Sequence, residues 1–180
     1  MTTLSCAFLG HHPMRFRFGY DEEDPHCQRI KLEMIRQILI LYQNGVTHFY
    51  TNCEVGPPMW GAEAVLALMD KLKLLQLSCI LPYEEQAAKW TPDLRDRYFT
   101  ILQKCSDTHM VETHLTNQSY RLCGKYQVEH ANFVLAVYDT SVTSPLEPVS
   151  FNMHDAKQAH RGIIYIHPDS AQVTPIRIEV

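Results

Sequence analysis

Long hydrophobic runs are missing from this sequence of 180 residues. No apolar stretch approaches the roughly 20 residues that a membrane-spanning helix needs. Residues 1–10 also lack the basic start and the small-residue cleavage pattern of a secretory signal. We therefore expect no insertion into a membrane and a cytoplasmic location.

An excess of positive charge is also missing. The formal net charge is −4 at pH 7, which leaves no basic field to attract a phosphate backbone. Arg15 and Arg17 alternate with Phe16 and Phe18 in a segment that combines positive charge with rings for stacking. These scattered charges favour a protein whose partners do not include nucleic acid.

The spacings typical of metal ligands and redox pairs are absent as well. The six cysteines include no Cys-x-x-Cys pair, and the ten histidines include no pair four residues apart around a glutamate. Cys27, Cys53, Cys79 and Cys105 follow one another at equal intervals, but they fall in a helix start, a loop, a strand and a helix end. We therefore predict buried free thiols, no bound metal and no cofactor.

The sequence does contain a repeated order of hydrophobic strand, polar loop and helix. Three runs, Leu4–Leu9, Val46–Tyr50 and Leu77–Leu81, are each followed by small or polar residues that open a helix-like segment. This order builds a parallel sheet whose ligand-handling loops meet at one edge. The continuous apolar run Phe133–Tyr138 is typical of a central strand covered on both faces.

Crossovers between parallel strands are right-handed, so the alternation predicts a three-layer α/β/α sandwich with a mainly parallel sheet. The chain length predicts a single domain over residues 1–180. Further strands are predicted at 108–111, 161–167 and 173–178. Helices are predicted at 27–44, 57–72, from Pro92, at 120–129 and at 151–160, and Pro82–Gln86 is interpreted as a helix start.

Loop and strand residues along most of the chain form a pattern that periodicity alone does not explain. The pattern comprises Cys6–Pro13, Gly45–Phe49, Gly56 with Trp60–Ala64, Leu81–Trp90, Arg97-Tyr98 with Ile101-Leu102, and Val134–Asp139. Together these segments resemble the YpsA-like branch of the SLOG superfamily, and the resemblance covers nearly the whole chain, roughly from Leu4 to Pro168. The resemblance implies a Rossmann-like fold.

The wider superfamily includes phosphoribohydrolases, which release bases from nucleoside monophosphates, and a DNA-processing protein of transformation. For the YpsA-like branch, the resemblance implies a nucleotide-like small-molecule ligand and no settled reaction.

Three departures from the family pattern fall at site positions. The family's glycine-rich turn reads Thr51–Pro58 here, its Gly-Gly-Thr-like turn is replaced by Ser144–Val149, and its Arg-Asn pair reads Cys123-Gly124. The two prolines of the first turn have no N–H to donate to an anion. An inward Glu54 would repel an anion 4 Å away by about 4 kcal/mol at an effective dielectric constant of 20. These departures indicate a pocket whose phosphate-binding turns are eroded.

Candidate ligand-binding residues lie in the loops that follow the strands. They are Gly10, His11, His12, Asn52, Gly56, Tyr83, Gln86 and Asp139. Gly10 permits close backbone approach, Tyr83 can stack on a base and Gln86 can hydrogen-bond it. A structural role stays open for these residues, such as turn formation by Asp139.

Glu63 is the candidate for acid–base chemistry, and a solvated helix carboxylate is the alternative. The favoured hypothesis is binding of a nucleotide-related ligand without catalysis, because the scaffold matches while the phosphate turns do not. A phosphoribohydrolase-like N-glycosidic hydrolase is the second hypothesis, and a regulatory or scaffolding protein with a vestigial pocket is the third. The sequence also leaves a homo-oligomer open.

Overall fold

The protein consists of seven strands and five α-helices in the part of the chain that the computed structural model describes, residues 3–141 and 147–174. The strands are β1 Leu4–Gly10, β2 Val46–Thr51, β3 Gln76–Leu81, β4 Asp107–Met110, β5 Phe133–Val137, β6 Gly162–Ile166 and β7 Val173–Thr174. The helices are α1 Pro25–Gln43, α2 Pro57–Met69, α3 Pro92–Lys104, α4 Ser119–His130 and α5 Pro148–Gln158.

The strands form one sheet in the order β4-β3-β2-β1-β5-β6-β7, and every neighbouring pair is parallel except β6 and β7. The chain adds strands outward from β1 to β4 and then returns to place β5 on the other side of β1. The order therefore reverses between β1 and β5, which is the topological switch point of a Rossmann-like sheet. The predicted α/β fold with a mainly parallel sheet is confirmed.

Helices cover both faces of the sheet. Phe8 and Leu135 share one buried cluster with residues of α1, α2 and α3. The neighbouring strand residues Leu9 and Ala136 belong to a second cluster with residues of α4 and α5. Successive strand residues point to opposite faces, so the two clusters are the two interfaces of a three-layer sandwich.

Helix α1 shows how the sequence specifies these elements. Ile30, Met34, Ile38 and Leu41 recur at intervals of three or four residues, and all are buried. The Asp24 side chain accepts a hydrogen bond from the first turn of the helix (2.7 Å), which satisfies one of its free amides. No helix in the described ranges is both long and apolar enough to cross a bilayer.

Two predicted helix starts are wrong. Residues 82–90 form consecutive turns, with i to i+3 hydrogen bonds such as that from Trp90 N–H to the Ala87 carbonyl (3.1 Å), and α3 begins only at Pro92. Helix α5 begins at Pro148 and not at residue 151, because a proline suits the first helical position, where no N–H is needed.

The ends of two predicted segments lie outside the described residues. These are residues 142–146, which include the start of the Ser144–Val149 turn, and the part of the last predicted strand beyond Thr174.

All six cysteines carry free thiols, and all but the half-buried Cys105 are buried, as the sequence predicts. Burial raises the pKa of Cys27 to about 11, so this thiol stays protonated at neutral pH.

Candidate functional site

A cavity of about 380 Å³ lies beside the carboxyl end of β1, at the point where the strand order reverses. We call it the switch-point cavity. Its lining residues are Leu9, Gly10, His12, Asn52, Glu54, Pro58, Tyr120, Glu147, Pro148, Val149 and Asn152. They come from the end of β1, the turn after β2 and the first turns of α2, α4 and α5. Open α/β sheets bind their ligands at this place.

The turn between β2 and α2 uses its own backbone amides. Three consecutive N–H groups donate to side-chain oxygens of the same turn, at 3.0, 3.0 and 3.3 Å, and they belong to Cys53, Glu54 and Val55. Helix α2 then begins with Pro57 and Pro58, which have no N–H, and the Met59 N–H donates to the Glu54 carbonyl (3.1 Å). The helix N-terminus therefore lacks the converging donors that usually hold a phosphate.

Glu54 places a carboxyl group against the switch-point cavity. Its Oε1 accepts a hydrogen bond from the Val55 N–H (3.3 Å), whereas Oε2 is buried with no partner in the described part of the chain. Burial raises the pKa of Glu54, against the opposing effect of the neighbouring Tyr120 hydroxyl. Burial and the nearby Glu54 in turn raise the pKa of Tyr120. A buried acceptor of this kind favours a ligand group that donates a hydrogen bond.

His11 lies under the cavity, 1% exposed, and connects β1 to α5. The Asp139 N–H donates to His11 Nε2 (3.0 Å), so Nε2 carries no proton. The proton is on Nδ1, which donates to Glu147 Oε2 (3.1 Å). Burial lowers the pKa of His11, although Glu147 opposes that shift. His11 is therefore a neutral link that positions the start of α5.

Asp139 lies just after β5 and is the centre of a small charged cluster. It accepts hydrogen bonds from the Ser141 hydroxyl (2.6 Å) and amide (2.9 Å) and from Arg15 (2.8 Å). Arg15 also donates to Asp169 (3.1 Å). Metal-type ligand atoms of Asp139, Asp169 and His167 lie within 4.8 Å of one another, but the Arg15 guanidinium already supplies a positive charge to both carboxylates.

We expect Ser141→Ala to raise the pKa of Asp139. Hydrogen bonds from Ser141, followed by that from Arg15, hold this pKa at about 2, below the value of about 3.9 in an unfolded chain. The group therefore stabilises the fold above about pH 4, and its contribution is lost as the pH falls towards 2. Carbon-13 NMR of the carboxyl group measures the change. Thr140→Ala, at the exposed neighbouring position, should leave the titration unchanged, and an equal shift in both variants would contradict the assignment.

A second cleft, of about 670 Å³, adjoins the switch-point cavity and shares His12 and Glu54 with it. Acidic residues dominate its wall, and they are Asp21, Glu22, Glu23, Glu54 and Asp93. The basic residues are Lys89 and Arg97, and Trp90 adds an aromatic ring. The combined site is therefore acidic.

Gly124 and Asn152 make the contact between α4 and α5 beside the cavity. The Asn152 amide lies so close to Gly124 that a Cβ atom there would be 1.8 Å from Asn152 Nδ2. Asn152 is 4% exposed, and its Oδ1 is buried without a hydrogen-bond partner among the described residues. The side chain from α5 thus fills the space that glycine leaves open on α4 and lines the cavity.

Glu63 lies on α2 outside the switch-point cavity. Both of its carboxylate oxygens accept hydrogen bonds from Arg97, at 2.7 and 2.8 Å. Arg97 also donates to both oxygens of Glu22, at 3.0 and 3.1 Å, and Trp60 Nε1 donates to Glu22 (2.9 Å). This ion-pair network joins α2, α3 and the segment before α1.

The structure brings Gly10, His12 and Asn52 together in the wall of the cavity. His11 and Asp139 do not line it, and they are hydrogen-bonded to each other. Gly56 is the N-cap of α2, with φ +103°, a conformation that side chains rarely adopt. Tyr83 and Gln86 lie in a different hollow with Trp90, although the Gln86 amide donates to the Asn52 carbonyl (3.0 Å).

The wall formed by α4 and α5 contributes Tyr120, Pro148, Val149 and Asn152. Sequence reasoning placed Pro148 and Val149 at a site position, within the Ser144–Val149 turn, but missed Tyr120 and Asn152. The proline after Glu147 is also typical of a first helical position. No pattern in the sequence predicts the contact between Asn152 and Gly124.

The fold and the cavity define a Rossmann-like α/β protein with a crevice at its switch point. The family model of YpsA, described as the YspA SLOG family, matches residues 6–170. The chain therefore belongs to the YpsA family of the SLOG superfamily, and the resemblance seen in the sequence is confirmed.

Relatives in bacilli are moderately similar. A UPF0398 protein of Bacillus pumilus is 26% identical over 137 residues, which cover 74% of this chain and 72% of that protein. A UPF0398 protein of Halalkalibacterium halodurans is 28% identical over 152 residues, which cover 83% of this chain and 77% of that protein.

Proposed function

We propose that this protein binds a nucleotide-related small molecule in the switch-point cavity and carries out no reaction on it. The observation that carries the proposal is the position of a cavity of about 380 Å³ at the reversal of strand order. This volume is within the range of about 300–1,000 Å³ for small-molecule pockets. Its lining combines apolar groups of Leu9, Pro58 and Val149 with polar groups of Asn52 and Asn152, a combination that suits a heterocycle bearing polar substituents.

The state of Glu63 supports a function without catalysis. Its two oxygens are both engaged by Arg97, and its position is outside the cavity that holds the proposed ligand. The hydrolase alternative requires Glu63 to act on an N-glycosidic bond. Its test is base release from nucleoside monophosphates, which we expect to be undetectable in the parent protein; release that disappears in Glu63→Gln would establish the hydrolase instead.

Blocking the cavity is expected to abolish binding. Calorimetric titration with nucleosides, nucleoside monophosphates, ADP-ribose and ribose 5-phosphate should show saturable binding by at least one compound. Val149→Trp adds an indole to the cavity wall and should weaken that binding by at least about tenfold. Leu122→Trp, at a residue of α4 that is 39% exposed and outside the cavity, is the matched control.

If none of these compounds binds in the titrations, the ligand-binding proposal is rejected. Co-purification of a protein partner whose binding survives substitution of Asn52 and Glu63 would then favour the regulatory or scaffolding alternative. The cytoplasmic location and the homo-oligomer stay predictions.

A further inference from the structure

We infer that the switch-point cavity selects a ligand without phosphate, and that its ligand class is the nucleoside, held by hydrogen bonds that the ligand donates to protein oxygens. This inference rests on the proposed function and specifies its ligand.

Unpartnered acceptors are the first observation. Asn152 lines the cavity and is 4% exposed, yet its Oδ1 has no hydrogen-bond partner within the described ranges. Oε2 of Glu54, another lining residue, is likewise buried without a hydrogen-bond partner among the described residues. Buried polar atoms in native proteins are nearly always paired, so these two oxygens favour a ligand that supplies the missing donors.

A shortage of positive charge and of free backbone amides is the second observation. The lining residues in the described part of the chain include Glu54 and Glu147 but neither lysine nor arginine. Arg15, in the segment after β1, is bonded to Asp139 and Asp169. In the turn before α2, the amides of Cys53, Glu54 and Val55 are bonded to side chains of that turn, and the two prolines that open the helix have no N–H.

A phosphate group is a poor match for this wall. At neutral pH its oxygens carry negative charge and mainly accept hydrogen bonds, so it would meet two carboxyl groups, no lysine or arginine among the lining residues of the described chain, and few backbone amides. The hydroxyl groups of ribose and the amino group of a base donate hydrogen bonds, and a carboxylate in α/β folds commonly accepts them from a ribose diol. Nucleotide sites in α/β folds usually hold the phosphate group. Here the preference is reversed, and the nucleoside binds more tightly than its phosphate ester.

The test compares adenosine with adenosine 5′-monophosphate by calorimetry at pH 7.5, with the other three nucleoside and monophosphate pairs and inorganic phosphate alongside. For the best pair we expect the nucleoside to bind at least about tenfold more tightly than its monophosphate. Its 2′,3′-dideoxy analogue should bind at least about tenfold more weakly, because the diol donors are missing.

Two variants distinguish the effect of charge in the cavity wall on binding from the effect of the protein's net charge. Glu147→Gln removes one negative charge from the wall and keeps an oxygen for His11, so it should improve monophosphate binding more than nucleoside binding. Glu129→Gln makes the same charge change at a residue that is 57% exposed on α4 and outside the cavity, and it should leave the ratio of the two affinities unchanged. Asn152→Ala should weaken nucleoside binding.

The outcomes distinguish this inference from the function on which it rests. A monophosphate that binds more tightly than its nucleoside, or an unchanged ratio in Glu147→Gln, would overturn the inference while the binding function survives. The absence of binding by every nucleoside and nucleotide would overturn both.

Discussion

Gly124→Ala is expected to destabilise the protein by about 3 kcal/mol. The new Cβ would lie 1.8 Å from Asn152 Nδ2 and 2.3 Å from its Cγ, and overpacking of a buried contact costs about 1–3 kcal/mol, occasionally more. Because α4 and α5 pack against each other at this point, relief requires the Asn152 side chain to move towards the switch-point cavity, which it lines. Denaturant unfolding followed by circular dichroism measures the change in the free energy of unfolding.

A double-mutant cycle provides the control for this prediction. Asn152→Ala removes the three atoms nearest to the new Cβ, so the double variant should be more stable than Gly124→Ala alone. Simple addition of the two single-variant effects would contradict the contact. If the displaced Asn152 side chain enters the cavity in Gly124→Ala, ligand affinity should also fall, which links the packing of α4 and α5 to the site.

Arg97→Leu is expected to destabilise the protein by about 2 kcal/mol. One guanidinium donates to four carboxylate oxygens, two of Glu63 and two of Glu22. Removing one partner of a buried ion pair costs about 3–5 kcal/mol, but the Arg97 side chain is 29% exposed, so solvent reduces the effect. Glu22 would keep its hydrogen bond from Trp60, whereas Glu63 would lose both of its partners from Arg97.

Two variants calibrate this effect by the same unfolding measurement. Arg36→Leu removes a guanidinium that is 64% exposed and pairs with Glu33 at 3.3 Å, and it should change stability by less than about 0.5 kcal/mol. Arg97→Lys keeps the charge but cannot form the forked hydrogen bonds, so it should lie between wild type and Arg97→Leu. Equal stability of Arg97→Leu and Arg36→Leu would show that the network contributes little.

Much of the fold follows from local sequence, because burial of one face imposes a period on each element. The apolar spacing in α1 and the continuous run of β5 correctly predict a helix and a doubly covered strand. Local rules fail at Pro82–Gln86, where the composition resembles a helix start but the chain makes turns before Pro92. Propensity there is weaker than the tertiary packing that fixes the segment.

The sequence by itself determined the class of the protein, the edge of the sheet that bears the candidate site and the absence of two amide donors at the start of α2, since proline removes an N–H in any conformation. Only the tertiary structure decided that Asn152 fills the space above Gly124, that Glu63 is bound by Arg97 and that Arg15 pairs with Asp139. Each of these contacts joins residues more than 25 positions apart in the chain. Such pairs depend on how the helices dock on the sheet, and no local period or spacing encodes that arrangement.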